Sequence, residues 1–331
     1  MTKIKSLLPG VILCAGITVL AVFLQRVEVF FAGQAYLEAL VLAILLGLAI
    51  RTAWHPGDMW QSGIHFSAKI LLELAVVLLG AAVSARTVLA LGPKLLGGIV
   101  LVVAASILIS YGICRALRLH TRLALLVASG NAICGNSAIA AVAPVIGADA
   151  EDIAASIAFT AVLGVVVVLL LPLLVPVLLL SLTQYGVLAG LTVYAVPQVL
   201  AATLPIGALS NQVGTVVKLV RVLMLGPVIL VLSLFFRGRQ KPKLYELVPW
   251  FILCFLALLL CRSLGLIPAV LLAPLKTTAA LLTTVSMAGL GLGVDIRTVA
   301  RAGLRVSSAV TLSLIVLGGI SLTLIRLLHI G

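Results

Sequence analysis

The chain has 331 residues, of which 63% are hydrophobic and only 9% are charged. Soluble domains carry about 25% charged residues, so the composition excludes a soluble protein and predicts an all-α polytopic membrane protein, organised as one transmembrane domain over residues 1–331. The formal net charge is +13, but the basic residues cluster at the ends of apolar runs. Because membrane topology explains that pattern, no nucleic-acid partner is expected.

About eleven transmembrane helices are expected from the apolar runs. The first follows Lys3 and Lys5 and is long enough to span, so we interpret it as a retained helix rather than a signal peptide. The predicted spans lie near residues 7–25, 30–50, 66–88, 95–115, 122–147, 153–180, 186–205, 213–236, 246–262, 271–293 and 306–328. With a cytoplasmic N-terminus, most basic residues fall on the inner side. Three acidic residues then fall on the outer side: Asp149, Glu151 and Asp152.

An ionisable pair begins the third predicted span. Lys69 and Glu73 are four residues apart and therefore share one helix face. One interpretation is a lysine that reaches the membrane interface and pairs with the glutamate. The other makes Glu73 a carboxylate that couples transport to sodium or protons, because ionisable residues inside spans are commonly functional.

The fifth predicted span is interrupted near its middle by SGNAICGNSAIAAVAPVIG, residues 129–147. Unpaired backbone groups in hydrocarbon cost several kcal/mol each, so such a break persists only inside protein or beside a wet cavity. Transporters use such breaks to offer helix ends to a solute. The candidate binding residues here are Asn131, Gly135, Asn136 and Ser137. The alternative is that the small residues only allow close helix packing.

A second interrupted span contains LTVYAVPQVLAATLPIG, residues 191–207. Pro197 removes a backbone hydrogen bond and kinks or breaks the helix. Tyr194 and Gln198 lie one turn apart on a common face, so we expect a discontinuous helix that faces the first one. A simple proline kink is the alternative.

The eighth predicted span carries Lys218 and Arg221 three positions apart, on one helix face. Each cation at this depth costs roughly 2.5–3.5 kcal/mol on insertion scales. They therefore need a carboxylate, carbonyl groups, water or an anionic ligand, unless they reach the outer interface. We expect the pair to attract an anionic solute.

Catalytic and metal chemistry is not indicated by the sequence. The five cysteines lie in apolar segments without a CxxC pair, and the four histidines are scattered without an HExxH motif. No metal, cofactor or catalytic residue is therefore expected, and the chain is not expected to be an enzyme.

Two segments of the chain are similar to each other. LGAAVSARTVLALGPK (79–94) and LGLGVDIRTVARAGLR (290–305) align without gaps. The predicted topology places Arg86 outside and Arg297 inside, which favours inverted repeats. The alternative is that the ends of two unrelated helices converged on the same pattern of small residues followed by basic ones.

The motifs ICGNSAIAAVAPVIGAD, VYAVPQVLAA, VKLVRVLML and LLELAVVLLGAAVS resemble the YeiH-type family of proposed sulfate exporters, over about residues 54–305. The family is similar to bile acid symporters and cation/proton antiporters. The resemblance implies two inverted five-helix repeats, about 30–181 and 185–331, after an extra N-terminal helix at 1–28. It also implies broken helices that cross near the midplane, a core that moves against a panel, and a bacterial inner-membrane location.

The chain departs from the family pattern at two places. Tyr194 and Ala195 stand where a His-Glu pair is expected, and Asn136 stands where a small residue is expected. Loss of the titratable pair argues against proton coupling through that segment and leaves Glu73 as the candidate.

The sequence therefore predicts a secondary transporter that exports a small anion such as sulfate, a sulfonate or a carboxylate. In this hypothesis Asn131, Asn136 and Ser137 contact the solute, Gln198 completes the opposite wall, and Lys218 with Arg221 supply positive potential. The alternatives are a sodium- or proton-coupled carrier of another solute and a membrane protein that does not transport. A homodimer is left open.

Overall fold

A computed structural model describes residues 2–32, 39–81, 92–236, 250–294 and 304–330. These residues form helices and connecting turns, with no strand among them. In chain order the helices are α1 (Thr2–Ala32), α2 (Ala39–Ala53), α3 (Asp58–Phe66), α4 (Leu72–Leu79), α5 (Gly92–Ala116), α6 (Thr121–Ala132), α7 (Asn136–Ile146), α8 (Ala150–Leu170), α9 (Leu174–Leu178), α10 (Leu182–Thr192), α11 (Val196–Thr203), α12 (Ala208–Leu223), α13 (Leu225–Phe235), α14 (Trp250–Ser263), α15 (Ala269–Gly293) and α16 (Leu304–Leu327).

The prediction of an all-α polytopic membrane protein is confirmed. Seven helices or helix runs in the described segments are long and apolar enough to cross a membrane. They are Ser6–Phe31, Asp58–Leu79, Gly92–Ala116, Glu151–Leu178, Ala208–Phe235, Val270–Gly293 and Arg305–Leu327. The number of spans and the five-helix repeats stay predictions. The similar segments at 79–94 and 290–305, with Arg86 and Arg297, lie mostly outside the described residues.

The chain divides into two compact units. The first comprises Met1–Ala85 with Phe251–Asp295, and the second comprises Arg86–Trp250 with Ile296–Gly331. In the first unit α15 packs against α2 and α4. Glycines make this packing close, because a Cβ on Gly47 would meet the carbonyl of Ala288. Small residues commonly bring membrane helices together in this way.

In the second unit α6 and α7 fold back on each other as a hairpin. Both helices pack along α8. His120, just before α6, bonds to Asp152 in the first turn of α8, while Thr160, further along α8, donates to Asn136 at the start of α7. Because α7 leads directly into α8, the end of α7 and the start of α6 lie at the same end of α8. We call α6 and α7 hairpin 1, with its tip at residues 133–135 and its base at the opposite end.

The helices on either side of the second break form a similar hairpin. Tyr185 in α10 donates its hydroxyl hydrogen to the carbonyl of Ala202 in α11 at 2.8 Å. The start of α10 therefore lies beside the end of α11. Ser210 in α12 donates to the carbonyl of Leu182, the first residue of α10, at 2.7 Å. We call α10 and α11 hairpin 2, with its tip at residues 193–195.

The two hairpins open toward opposite ends of the second unit. The start of α8 lies at the base of hairpin 1, whereas Gly164, in its middle, packs against Gln198 near the tip of hairpin 2. The carbonyl of Ile330, just after α16, accepts a hydrogen bond from Gln184 at the base of hairpin 2. Val310, near the start of α16, reaches hairpin 1. The two tips therefore meet at mid-depth.

These contacts correct two expectations. The interruptions in spans 122–147 and 186–205 are confirmed, but neither segment continues in one direction after its break, because the chain reverses there. The acidic residues 149–152 were expected on the side opposite the arginines around 115–122. Arg122 instead lies 3.6 Å from Asp149, so the acidic and basic residues share the base of hairpin 1.

Candidate functional site

The tips of the two hairpins are in direct contact. Gly135 adopts φ +64° and ψ −124°, a conformation that only glycine adopts readily. A Cβ on Gly135 would lie 3.1 Å from Cβ of Tyr194, in the tip of hairpin 2. The Tyr194 hydroxyl donates to Asn131 Oδ1 at 2.7 Å, and Asn131 Nδ2 donates to the carbonyl of Val310 at 3.4 Å. The side chains of Asn131 and Tyr194 therefore join the tips to each other and to α16.

Lys218 is completely buried in α12 and bridges both tips. Its Nζ donates to the carbonyl of Ile133 at 2.6 Å and to the carbonyl of Val193 at 2.7 Å. Ile133 is the residue directly after α6, and Val193 is the residue directly after α10. One ammonium group thus binds main-chain oxygen from each hairpin.

Arg221 is also completely buried, one turn further along α12. Its Nε donates to the carbonyl of Ala132 at 2.5 Å. Its two terminal nitrogens donate to the carbonyls of Asn131 and Leu191. The planar guanidinium therefore also connects α6 with α10.

The reason for these contacts lies in the helix ends. The last carbonyls of a helix have no partner inside the helix, and its C-terminus carries about half a negative charge. In hydrocarbon such carbonyls need donors. Lys218 and Arg221 supply them at two C-termini, and the carbonyls compensate the buried cations in return. The sequence left several kinds of partner open for Lys218 and Arg221, and the structure shows that backbone carbonyl groups take this role. Both side chains are buried in the protein rather than directed to the membrane interface.

One face of α8 holds the starts of α7 and α11 together. Thr160 donates to Asn136 Oδ1 at 2.5 Å. One turn further on, Gly164 leaves no room for a Cβ beside the carboxamide of Gln198. Gln198 in turn accepts a hydrogen bond from the backbone N–H of Ala195 at 3.1 Å. The N-termini of α7 and α11 thus converge on this face.

The structure brings all eight predicted binding residues together around the tips. Five of them have buried side chains that are bonded to protein: Asn131, Tyr194, Gln198, Lys218 and Arg221. Asn136 is half-buried and Ser137 is exposed, both at the N-terminus of α7. Glu73 belongs to the first unit, whereas these eight residues belong to the second.

Sequence reasoning did not single out Thr160 or Gly164. A signal was present, because Ser156 and Thr160 form a polar pair four residues apart within an apolar helix and therefore share a face. For metal binding, no group of three or more His, Cys, Asp or Glu side chains occurs in the described parts of the chain. The described side chains at the tips offer amides, hydroxyls, the thiol of Cys134 and two cations.

The two buried cations give the tip region a positive field, because the helix N-termini and C-termini that meet there offset each other. Two helix N-termini, each equivalent to about half a positive charge, lie at the level of Lys218 and Arg221. The acidic residues of the second unit that the structure describes are at the base of hairpin 1: Asp149, Glu151 and Asp152. Such an arrangement can bind an anion through amide N–H groups and hydroxyls.

The chain matches the family model described as "Conserved hypothetical protein 698" over residues 9–309. A membrane protein of Brucella melitensis is 60% identical, over 100% of this chain and 93% of its own length. One from Bradyrhizobium diazoefficiens is 54% identical (98% and 94%), and one from Bacillus cereus is 34% identical (87% and 83%). All three are named UPF0324 membrane proteins. No solved structure matches the chain. The chain therefore belongs to the UPF0324 membrane protein family, in agreement with its YeiH-type motifs.

Proposed function

We propose that this protein is a secondary transporter that exports a small anion, such as sulfate, a sulfonate or a carboxylate, across the bacterial inner membrane. The observation that carries the proposal is the meeting of two hairpin tips around two buried cations. Irregular backbone at membrane depth is costly and typically forms a solute site. The N-termini of α7 and α11, next to that centre, are the groups that would receive the solute.

The charge around the tips favours an anion over a cation. Lys218 and Arg221 carry two positive charges, while the C-termini of α6 and α10 offset about one. The N-termini of α7 and α11 restore about one, which leaves roughly two positive charges in a low-dielectric environment. A cation would be repelled from this region, whereas an anion would be attracted.

The residues divide into two roles in this proposal. Asn136, Ser137 and Gln198, at the starts of α7 and α11, contact the anion. Lys218 and Arg221 act through the backbone that they hold and through their charge. Gly135, Asn131 and Tyr194 keep the two tips in register.

The fold supports the proposed orientation of the protein in the membrane and an elevator-like movement. At the base of hairpin 1 lie Arg115, Arg118, Arg122 and Arg305, whereas Lys94 and Arg326 lie at the opposite end of the unit. The positive-inside rule then places the base of hairpin 1 in the cytoplasm, and the same rule applied to the whole sequence places the N-terminus there. A hairpin followed by a crossing helix occurs twice, in opposite directions, which supports inverted repeats. The division into two units suits an elevator-like movement.

Anion uptake by proteoliposomes tests the proposal. Replacing both Asn136 and Ser137 by alanine is expected to lower uptake of labelled sulfate, sulfonate or dicarboxylate by roughly tenfold or more, because hydrogen bonds to a charged ligand are lost. Thr323→Ala is the control, since this exposed hydroxyl bonds to the carbonyl of Gly319 within α16. Wild-type vesicles that take up none of these anions would refute the proposal, and unchanged uptake by the double variant would refute the assigned contacts.

A cation-coupled carrier is the second candidate, supported by the surroundings of Glu73. This residue is half-buried in the first turn of α4, directly after a π-helical turn at Ser67–Leu71. Such turns are frequent at functional sites. A sodium or pH jump across sealed vesicles is expected to change uptake by the wild type but not by Glu73→Gln, with the exposed Asp58→Asn as the control. Uptake that ignores both gradients would dismiss coupling.

A further inference from the structure

The base of hairpin 1 is held to α8 by charged side chains. His120 precedes α6 and Asp152 lies in the first turn of α8, 32 positions later in the chain, yet His120 Nε2 and Asp152 Oδ2 are 2.6 Å apart. Beside them Arg122 approaches Asp149 at 3.6 Å. Both pairs join the start of α6 to the start of α8. The first arm of hairpin 1 is thus fixed by ionisable groups at its outer end.

Hairpin 2 is fixed differently at its base. The bonds there connect neutral groups: the hydroxyl of Tyr185 with the carbonyl of Ala202, and the hydroxyl of Ser210 with the carbonyl of Leu182. Neutral bonds of this kind do not change with protonation near neutral pH. The two hairpins therefore differ in the way their bases can respond to pH.

The His120–Asp152 pair combines access to water with a sheltered partner. The His120 side chain is 58% exposed, so it can exchange a proton with solvent, whereas the Asp152 side chain is only 12% exposed. When the imidazole carries a proton, its bond to a carboxylate joins two opposite charges and is stronger than the bond of the neutral ring.

We propose that His120 and Asp152 form a proton-binding site that clamps the first arm of hairpin 1 to α8 when His120 is protonated and loosens the clamp when the proton leaves. Other charged side chains described at this end of the unit are Arg115, Arg118, Arg122, Asp149, Glu151 and Arg305. The proton taken up comes from the aqueous phase at the base of hairpin 1.

Hydrogen–deuterium exchange of the purified full-length protein, without solute, tests this site. After correction for intrinsic exchange, the opening of α6 and α7 is expected to increase about fivefold as the pH rises through the range in which an imidazole loses its proton. Peptides from α11 serve as an internal control and should not respond. The measurement needs no transport, so its outcome is independent of the function proposed above.

Three variants make the test specific. His120→Gln keeps a neutral donor but cannot be charged, so its opening should stay at the high-pH level throughout. His329→Gln, at the exposed end beyond α16, should keep the wild-type response. If His120→Gln does not fold, Asp152→Asn replaces it and should likewise lose the response. A pH-independent wild type, or a response that survives in the folded variant, would overturn the proposal.

Discussion

Replacing Arg221 by methionine is expected to lower the free energy of unfolding by about 3–5 kcal/mol, because three buried carbonyl groups lose their hydrogen-bond donor at about 1–3 kcal/mol each. The carbonyls of Asn131, Ala132 and Leu191 would each lose their guanidinium donor. These acceptors are buried at the ends of α6 and α10, close to the tips of both hairpins. Reversible unfolding of the purified protein in detergent or bicelles measures the change.

Two further variants show whether the loss arises from this position. Arg326→Met removes an exposed arginine at the end of α16 and should change stability by less than about 1 kcal/mol. Arg221→Lys keeps the charge but not the fork of donors, so an intermediate loss is expected. A stability of Arg221→Met equal to that of Arg326→Met would show that the carbonyl contacts do not hold the tips.

The same residues separate a structural role from an electrostatic one. If the double variant Lys218→Ala with Arg221→Ala still folds and transports anions at the wild-type rate, the charge does not attract the solute. If it folds but loses transport, the positive field is required. Folding and transport are therefore measured on the same preparation.

Gly135→Ala is expected to cost about 2–4 kcal/mol and to abolish anion uptake, because it combines an unfavourable backbone conformation with a tight contact. The added Cβ would lie 3.1 Å from Cβ of Tyr194. Since Cβ of Tyr194 cannot move without its backbone, the adjacent carbonyl of Val193 and its bond to Lys218 would shift as well. Unfolding and vesicle uptake measure the two effects.

Gly147→Ala provides the matched control for this change. Gly147 also has φ +64°, but with ψ +44° and with no atom within 4 Å of an added Cβ. The backbone cost there is roughly 1–2 kcal/mol, and the tips are not disturbed. Equal losses in the two variants would mean that the contact between the tips contributes nothing.

Much of the candidate site could be predicted from residue types alone. Gly135 and Pro197 disfavour regular helical hydrogen bonding, and both breaks occur close to them. Lys218 and Arg221 were recognised because two cations in an apolar segment require compensation. Thr160 was missed, since a threonine in a membrane helix usually bonds to its own backbone, as this one also does.

The identity of the compensating groups could not be predicted. The donors of Lys218 and Arg221 reach backbone carbonyls 25–90 positions away in the chain. Backbone carbonyls occur at every position and leave no mark in the sequence. Only the tertiary structure selects the few that face α12.

The sequence by itself determined that this is an all-α membrane protein, that two of its apolar segments are interrupted, and that two cations lie within the bilayer. These features follow from composition and from local backbone chemistry. Tertiary structure alone decided that each interrupted segment turns back as a hairpin and that acidic and basic residues share one end of the second unit. The physical reason is that a break releases backbone hydrogen bonds without fixing the direction of the next helix. That direction depends on contacts such as those of α7 and α11 with α8, which are made between residues far apart in the chain.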